Sequence, residues 1–181
     1  RVYRNNNGSW EQVGVDIKGE AAGARSGWSV SLSSNGSIVA IGAYLNDGNG
    51  GGSGHARVYQ NNNGTWEQIG SDIDGENGGD SSGESVSLSS DGSILAIGAQ
   101  GNNGNGNNSG HVRVFQNTNG SWVQVGSDID GKLAGDNFGN SVSLSSNGSV
   151  LAIGAHFNSN VYAQVYQNIN GVWIKKGNDM N

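Results

Sequence analysis

Residues 85–99 read Ser-Val-Ser-Leu-Ser-Ser-Asp-Gly-Ser-Ile-Leu-Ala-Ile-Gly-Ala, and two kinds of strand meet in them. Ser85 to Ser89 alternates strictly, which puts Val86 and Leu88 on one face. Asp91-Gly92 then turns the chain, as Asn35-Gly36 and Asn147-Gly148 do in stretches of the same design. Such dipeptides favour two-residue hairpin loops, because both central positions take positive φ. Ile94 to Ala99 is an unbroken apolar run, the pattern of a strand buried on both faces. A Gly/Asn loop, Gln100 to Gly110, leads to a third strand, His111 to Gln116, and Asn119-Gly120 opens a fourth, Trp122 to Val125. Pro is absent and no segment has helical periodicity, so the chain is expected to be all-β.

The pattern recurs along the chain. Trp10, Trp66, Trp122 and Trp173 are spaced 56, 56 and 51 residues apart, and Val2-Tyr3, Val58-Tyr59, Val114-Phe115 and Val165-Tyr166 keep the same intervals. Ile-Gly-Ala triplets begin at Ile41, Ile97 and Ile153. The last interval is five residues short because the segment His156 to Asn160 is shorter than its counterparts. Four antiparallel strands per unit of about 50 residues predict a β-propeller of four-stranded blades. The expected division is residues 1–19 as the outer two strands of a blade, then blades at 20–75, 76–131 and 132–181. The Ser-rich first strand is read as innermost and the Trp-bearing strand as outermost, with the Trp series packing blade on blade rather than stacking a ligand. The chain starts at a third strand, Arg1 to Arg4, so three complete blades plus an N-terminal half blade are expected. A first residue other than Met suggests a processed or partial chain, and closure of a ring would need further blades or other copies.

Gly-Asp-Asn-Phe-Gly-Asn-Ser-Val-Ser-Leu-Ser at 135–145, followed by Leu-Ala-Ile-Gly-Ala at 151–155, resembles the FG-GAP repeat of integrin-α-like β-propellers. Phe138-Gly139 matches the Phe-Gly element, where the other units carry Ser26-Gly27 and Ser82-Gly83. Gly42-Ala43, Gly98-Ala99 and Gly154-Ala155 match the Gly-Ala element without its customary Pro. A Kelch-type propeller is the alternative. Tyr59 and Trp66 have its spacing, but Gly-Ala replaces its glycine pair. The FG-GAP resemblance implies an extracellular or cell-surface protein. Some members bind calcium through an Asp-rich loop between the first two strands. Here that loop, Ser33 to Ser37 and its copies, offers one carboxylate at most, Asp91, too little charge for a hard cation.

Composition narrows the function. Gly, Asn and Ser supply 33, 26 and 25 of 181 residues, and Leu, Ile, Val and Phe together only 37. Taken without the repeat, that is a low-complexity composition. A net charge of -6 with nine Lys and Arg argues against nucleic acid. No apolar run spans a membrane, nothing at the N-terminus resembles a signal peptide, and the absence of Cys excludes disulfides and thiolate metal sites. Asp72-Ile-Asp-Gly-Glu76, echoed at Asp128-Ile-Asp-Gly131, is a metal candidate weighed against an ordinary Asp/Gly turn. In the first copy, Lys18 replaces the second carboxylate. His55 and His111 are equivalent and read as exposed or strand-end histidines. The loops Asn46 to Gly54 and Gly101 to Gly110 precede strands, not helices, so they read as flexible connectors rather than phosphate cradles. Trp28, Arg25, Glu84 and the His156 segment break the repeat at scattered positions, and no catalytic constellation emerges. Six sequons, at Asn7, Asn35, Asn63, Asn107, Asn119 and Asn147, are candidate N-glycosylation sites.

The expected function is therefore a non-catalytic extracellular binding, adhesion or surface-assembly module, without enzymatic activity, cofactor or metal. Its partner would be a protein or glycan, with self-assembly or additional blades closing the ring. The alternative is a fragment of a propeller hydrolase acting on carbohydrate, its catalytic residues lying in missing blades.

Overall fold

The computed structural model describes residues 1–157 and 160–180, and these contain strands but no helix. A hairpin of β1 (Tyr3–Asn6) and β2 (Ser9–Gln12) comes first. The first full sheet has the order β3 (Ser29–Leu32), β4 (Ile38–Ala43), β5 (His55–Asn62), β6 (Thr65–Gln68). The second repeats it with β8 (Ser82–Leu88), β9 (Ile94–Ala99), β10 (His111–Thr118) and β11 (Ser121–Gln124). The third consists of β13 (Ser141–Leu144), β14 (Val150–Phe157), β15 (Asn160–Ile169) and β16 (Val172–Met180). All these pairings are antiparallel. The shortened segment of the last unit includes residues 158 and 159, which lie outside the described residues.

The outer edge differs from the expected single fourth strand. The segment Ile73–Asp74 (β7) pairs with the start of β5, and Ile129–Asp130 (β12) with the start of β10. What reads as an Asp/Gly turn is thus the second half of a broken outer strand. In the third sheet, β16 spans both halves with one register shift.

Turn chemistry also splits. Asn7-Gly8, Asn63-Gly64, Asn119-Gly120 and Asn170-Gly171 have both φ angles positive, as two-residue hairpin loops require. At Asn35-Gly36, Asp91-Gly92 and Asn147-Gly148 only the glycine does. These are wider turns, closed by Gly36 N–H to the Ser33 carbonyl and by the matching bonds at Gly92 and Gly148. Side-chain oxygens of Asn35, Asp91 and Asn147 brace them, each accepting from the two flanking serines.

The sheets pack face to face, and the unbroken apolar strands serve two interfaces. On β4, Val39 and Ile41 meet Val2, Val13 and Ile17 of the N-terminal segment, while Ala40 points to the second sheet with Val86, Leu88 and Leu95. On β9, Ala96 packs against Phe138, Leu151 and Ile153. The first strands lie side by side. The Ser29 hydroxyl donates to the Gly83 carbonyl at 2.7 Å, and Ser85 to Gly139 at the same distance. Leu88 and Leu144 N–H groups donate to Ser31 and Ser87 hydroxyls at 2.9 Å. Serine suits these strands because its hydroxyl joins one sheet's backbone to the next. This approach needs glycine. A Cβ on Gly42 would stand 2.0 Å from the Gly83 carbonyl oxygen, and one on Gly98 equally close to that of Gly139.

The tryptophans pack sheet on sheet, as the repeat implies. Trp66, Trp122 and Trp173 donate their indole N–H to the carbonyls of Val13, Ile69 and Val125, each in the preceding unit, at 2.8–3.0 Å. Trp10 is 68% exposed. Val30 of β3 is 63% exposed, whereas its repeat partner Val86 is buried, because the N-terminal hairpin contributes no first strand to cover β3. Trp122→Phe removes a partly buried bond and leaves the Ile69 carbonyl unpaired. It should cost about 1–2 kcal/mol in urea unfolding, against less than about 0.5 kcal/mol for Trp10→Phe at its exposed site.

Candidate functional site

The long Gly/Asn loops and the segments joining sheets gather at one edge, where β4 and β9 leave and β5 and β10 enter. The loops are not slack connectors. Asn46 and Asn102 are buried, and their side-chain oxygens accept from Gly48 and Gly104 N–H at 2.8 Å. The side chains of Asn49 and Asn105 donate to the Gly75 and Gly131 carbonyls, clasping the end of each broken outer strand.

On this edge two of the repeat-breaking residues meet. Trp28 and Glu84 occupy equivalent positions, 56 residues apart, so the packing of first strands makes them neighbours. The Trp28 indole N–H donates to Glu84 Oε1 at 2.9 Å, and Trp28 lies against Tyr44, ring centroids 4.9 Å apart and planes tilted by 54°. Trp28 is 56% exposed. Glu84 Oε2 is buried without a hydrogen-bond partner among the described residues. Burial raises the Glu84 pKa above the ordinary carboxylate value, opposed by the indole bond. In the next unit the same row holds Asn140 and Gln100, bonded at 2.9 Å. Arg25 precedes Trp28 by three residues and adopts a left-handed backbone, as do its equivalents Ser81 and Asn137. The repeat interval was the signal that these departures converge.

A second arrangement recurs at the same edge. His55 and His111 stand at strand ends, as the first residues of β5 and β10, and they are buried there rather than exposed. His55 Nδ1 faces Asp72 at 3.5 Å, Glu20 at 3.8 Å and Asp74 at 3.9 Å. His111 Nδ1 faces Asp128 at 3.6 Å and Glu76 at 4.0 Å. Burial lowers both imidazole pKa values, and the carboxylates partly offset it. Gln68 and Gln124 hold Asp72 and Asp128 by their other oxygens, at 2.6 and 2.7 Å. Arg57 and Arg113 pair with Glu20 and Glu76 and donate to the Lys18 and Asp74 carbonyls. The candidate Asp72–Glu76 motif is therefore divided: Asp72 and Asp74 serve His55, and Glu76 serves His111.

The third unit substitutes the glutamate and the histidine and keeps the aspartate. Lys132, Tyr162 and Asp179 stand where Glu76, His111 and Asp128 stand, and Gln164 replaces Arg113. Lys132 and Lys175 both bind Asp179, and the Lys132 ammonium lies 5.5 Å from the Tyr162 ring centre. Tyr162 donates to Asp136, and burial with that bond raises its pKa. The sequon residues Asn7, Asn35, Asn63, Asn107, Asn119 and Asn147 are all exposed, five of them in hairpin turns. Asp91 is engaged by Ser89 and Ser93, whose bonds lower its pKa.

Residues 18–59 match the FG-GAP repeat, as the motif reading holds. No curated protein matches the chain in sequence. Among solved structures it resembles candidate 6-phosphogluconolactonases of Bacteroides uniformis (19% identity, TM-score 0.55) and Bacteroides fragilis (15%, 0.58). It also resembles a periplasmic gluconolactonase of Pseudomonas aeruginosa (17%, 0.54). The matches cover 83, 83 and 91% of this chain but only 39, 38 and 45% of those chains. They establish a propeller-like, all-β fold of four-stranded antiparallel sheets. They also correct the expected function: propellers matched over most of the chain carry the names of lactonases. A non-catalytic adhesion or assembly module without enzymatic activity therefore does not stand.

The lysine pair holds the Asp179 carboxyl down at about 2. A depressed carboxylate adds stability above its unfolded value of about 3.9, and that share is lost as pH falls toward about 2. Carboxyl-carbon NMR should find Asp179 titrating near that low value, and Lys132→Met should return it upward toward the ordinary range.

Proposed function

We propose that the chain is part of a β-propeller hydrolase that opens sugar lactones. Its sheets act as three blades and its hairpin as half of another, divided at 1–19, 20–75, 76–131 and 132–181. The ring is completed by further blades, from a longer protein or from other copies. The uncovered apolar face of β3 supports that completion, as does the chain's two-fifths share of the lactonases' length.

The observation that carries the reading is the Glu84 carboxyl beside Trp28 and Tyr44. An exposed indole and a phenol offer a face to a sugar ring, and beside them the Glu84 carboxyl, with Oε1 on the indole and Oε2 buried without a partner among the described residues, has an oxygen left to take a proton. In the hydrolysis, a water oxygen bonds to the lactone carbonyl carbon as Glu84 takes the water's proton. The ring C–O bond then breaks, and the proton passes to the departing alkoxide, leaving the open hydroxy acid. The net charge of -6 and the engagement of Arg57 and Arg113 with carboxylates favour an unphosphorylated lactone over a phosphate ester. An extracellular or cell-surface location accords with the FG-GAP repeat and the exposed sequons.

Incubated with glucono-δ-lactone, the protein should open the ring faster than it opens spontaneously. Glu84→Gln should lower the catalysed rate about 100-fold with its thermal midpoint little changed. A rate equal to the spontaneous one, or a Gln variant of full activity, would contradict the assignment.

A further inference from the structure

The two histidine–carboxylate clusters contain a buried group with nothing to bind. His55 is 1% exposed, and its Nδ1, the atom aimed at the carboxylates, has no hydrogen-bond partner among the described residues. Buried polar atoms in folded proteins are seldom left unpaired, and each such case calls for an explanation. At the second cluster Nδ1 makes the same approach to Asp128 and Glu76, while the unpartnered atom, His111 Nε2, is the ring nitrogen on the other side, so this cluster enters by its repeat equivalence to the first.

The separations suit an ion better than a direct bond. Donor atoms of one cluster all lie within 4.8 Å of one another, and His55 Nδ1 stands 3.5–3.9 Å from three carboxylate oxygens. Nitrogen and oxygen donors around tetrahedral zinc, at bond lengths of 2.0–2.2 Å, are about 3.4 Å apart. Charge agrees. Around His55, three carboxylates face the single guanidinium of Arg57, which leaves two negative charges unbalanced. The outer oxygens of Asp72 and Asp128 are already fixed by Gln68 and Gln124, the orienting support that ligand carboxylates commonly have.

The third unit supplies the contrast. There Lys132 replaces the glutamate and binds Asp179 directly, beside a tyrosine in place of the histidine. The position that lacks the imidazole and glutamate carries its own cation.

We propose that Glu20, His55 and Asp72, and likewise Glu76, His111 and Asp128, each hold one divalent cation of the zinc class. The ion ties the connection entering a sheet, which bears the glutamate, to that sheet's third strand and broken outer strand. One imidazole nitrogen among carboxylate oxygens favours zinc over calcium, which takes six or more oxygens. The site differs in place and ligands from the loop between the first two strands, and it does not depend on Glu84.

The test is equilibrium dialysis of the chelator-stripped chain against Zn2+ alone and Ca2+ alone. Two Zn2+ should bind per chain, with Ca2+ at least tenfold weaker. His55→Ala and His111→Ala should each remove one Zn2+, and His156→Ala, at an exposed histidine, should remove none. Any other count, or a count that the two variants leave unchanged, overturns the proposal. Should a variant fail to fold, ring-proton resonances of the unaltered protein decide. Zn2+ should shift those of His55 and His111 but not His156, and the absence of both shifts overturns it.

Discussion

The carbonyl oxygen of Gly83 stands 2.0 Å from where a side chain at residue 42 would begin, and Gly139 meets Gly98 in the same way. Everything between sheets follows from this approach. Gly42 and Gly98, the glycines of the first two Gly-Ala elements, make room for the carbonyl of the next unit's Ser-Gly or Phe-Gly element, whose own glycine takes a positive φ. Serine hydroxyls of the first strand then reach the same carbonyl. The two halves of the repeat motif are thus one contact, shared between consecutive units. Tryptophan fixes the far edge of each sheet by bonding to the unit before it. Held at both edges, the sheets bury small residues such as Ala40, Ala56 and Ala96 completely. A composition poor in large apolar side chains can therefore still build a packed core.

Much of this was legible in the sequence. Strand order, the repeat, the two-faced burial of Ile94–Ala99 and the role of the Trp series follow from periodicity, because each depends on local pattern repeated at a fixed interval. What escaped depends on contacts across units. Asp72 and Asp74 look like turn residues until β5 is seen to pair with Ile73–Asp74. The strand-end place of His55 is legible, but its burial against carboxylates is not, because Glu20 and Asp72 lie 35 and 17 residues away in the chain. The Gly/Asn loops look slack because their order comes from Asn side chains bonding to backbone, which composition does not reveal. Trp28 and Glu84 looked scattered, although their 56-residue separation equals the repeat and places them together.

The repeat varies most at its loop-bearing edge. The buried strands are nearly invariant from unit to unit, since each must satisfy the same neighbours. At the loop-bearing edge, Trp28, Glu84 and Asn140 occupy one row, and Glu20, Glu76 and Lys132 another. The first row places an aromatic face and an underused carboxyl together. The second alternates between imidazole–carboxylate clusters and a built-in ammonium. A rigid stack with a variable edge can thus acquire a reactive site in one unit without disturbing the others.

Amide hydrogen exchange on the Gly98→Ala variant tests the sheet-to-sheet approach most directly. The amides of Leu144 and Ser90, which bond across sheets, should lose protection, while those within the β9–β10 pairing keep theirs. Unchanged protection at Leu144 and Ser90 would contradict the claim that glycine at this position sets how the sheets join.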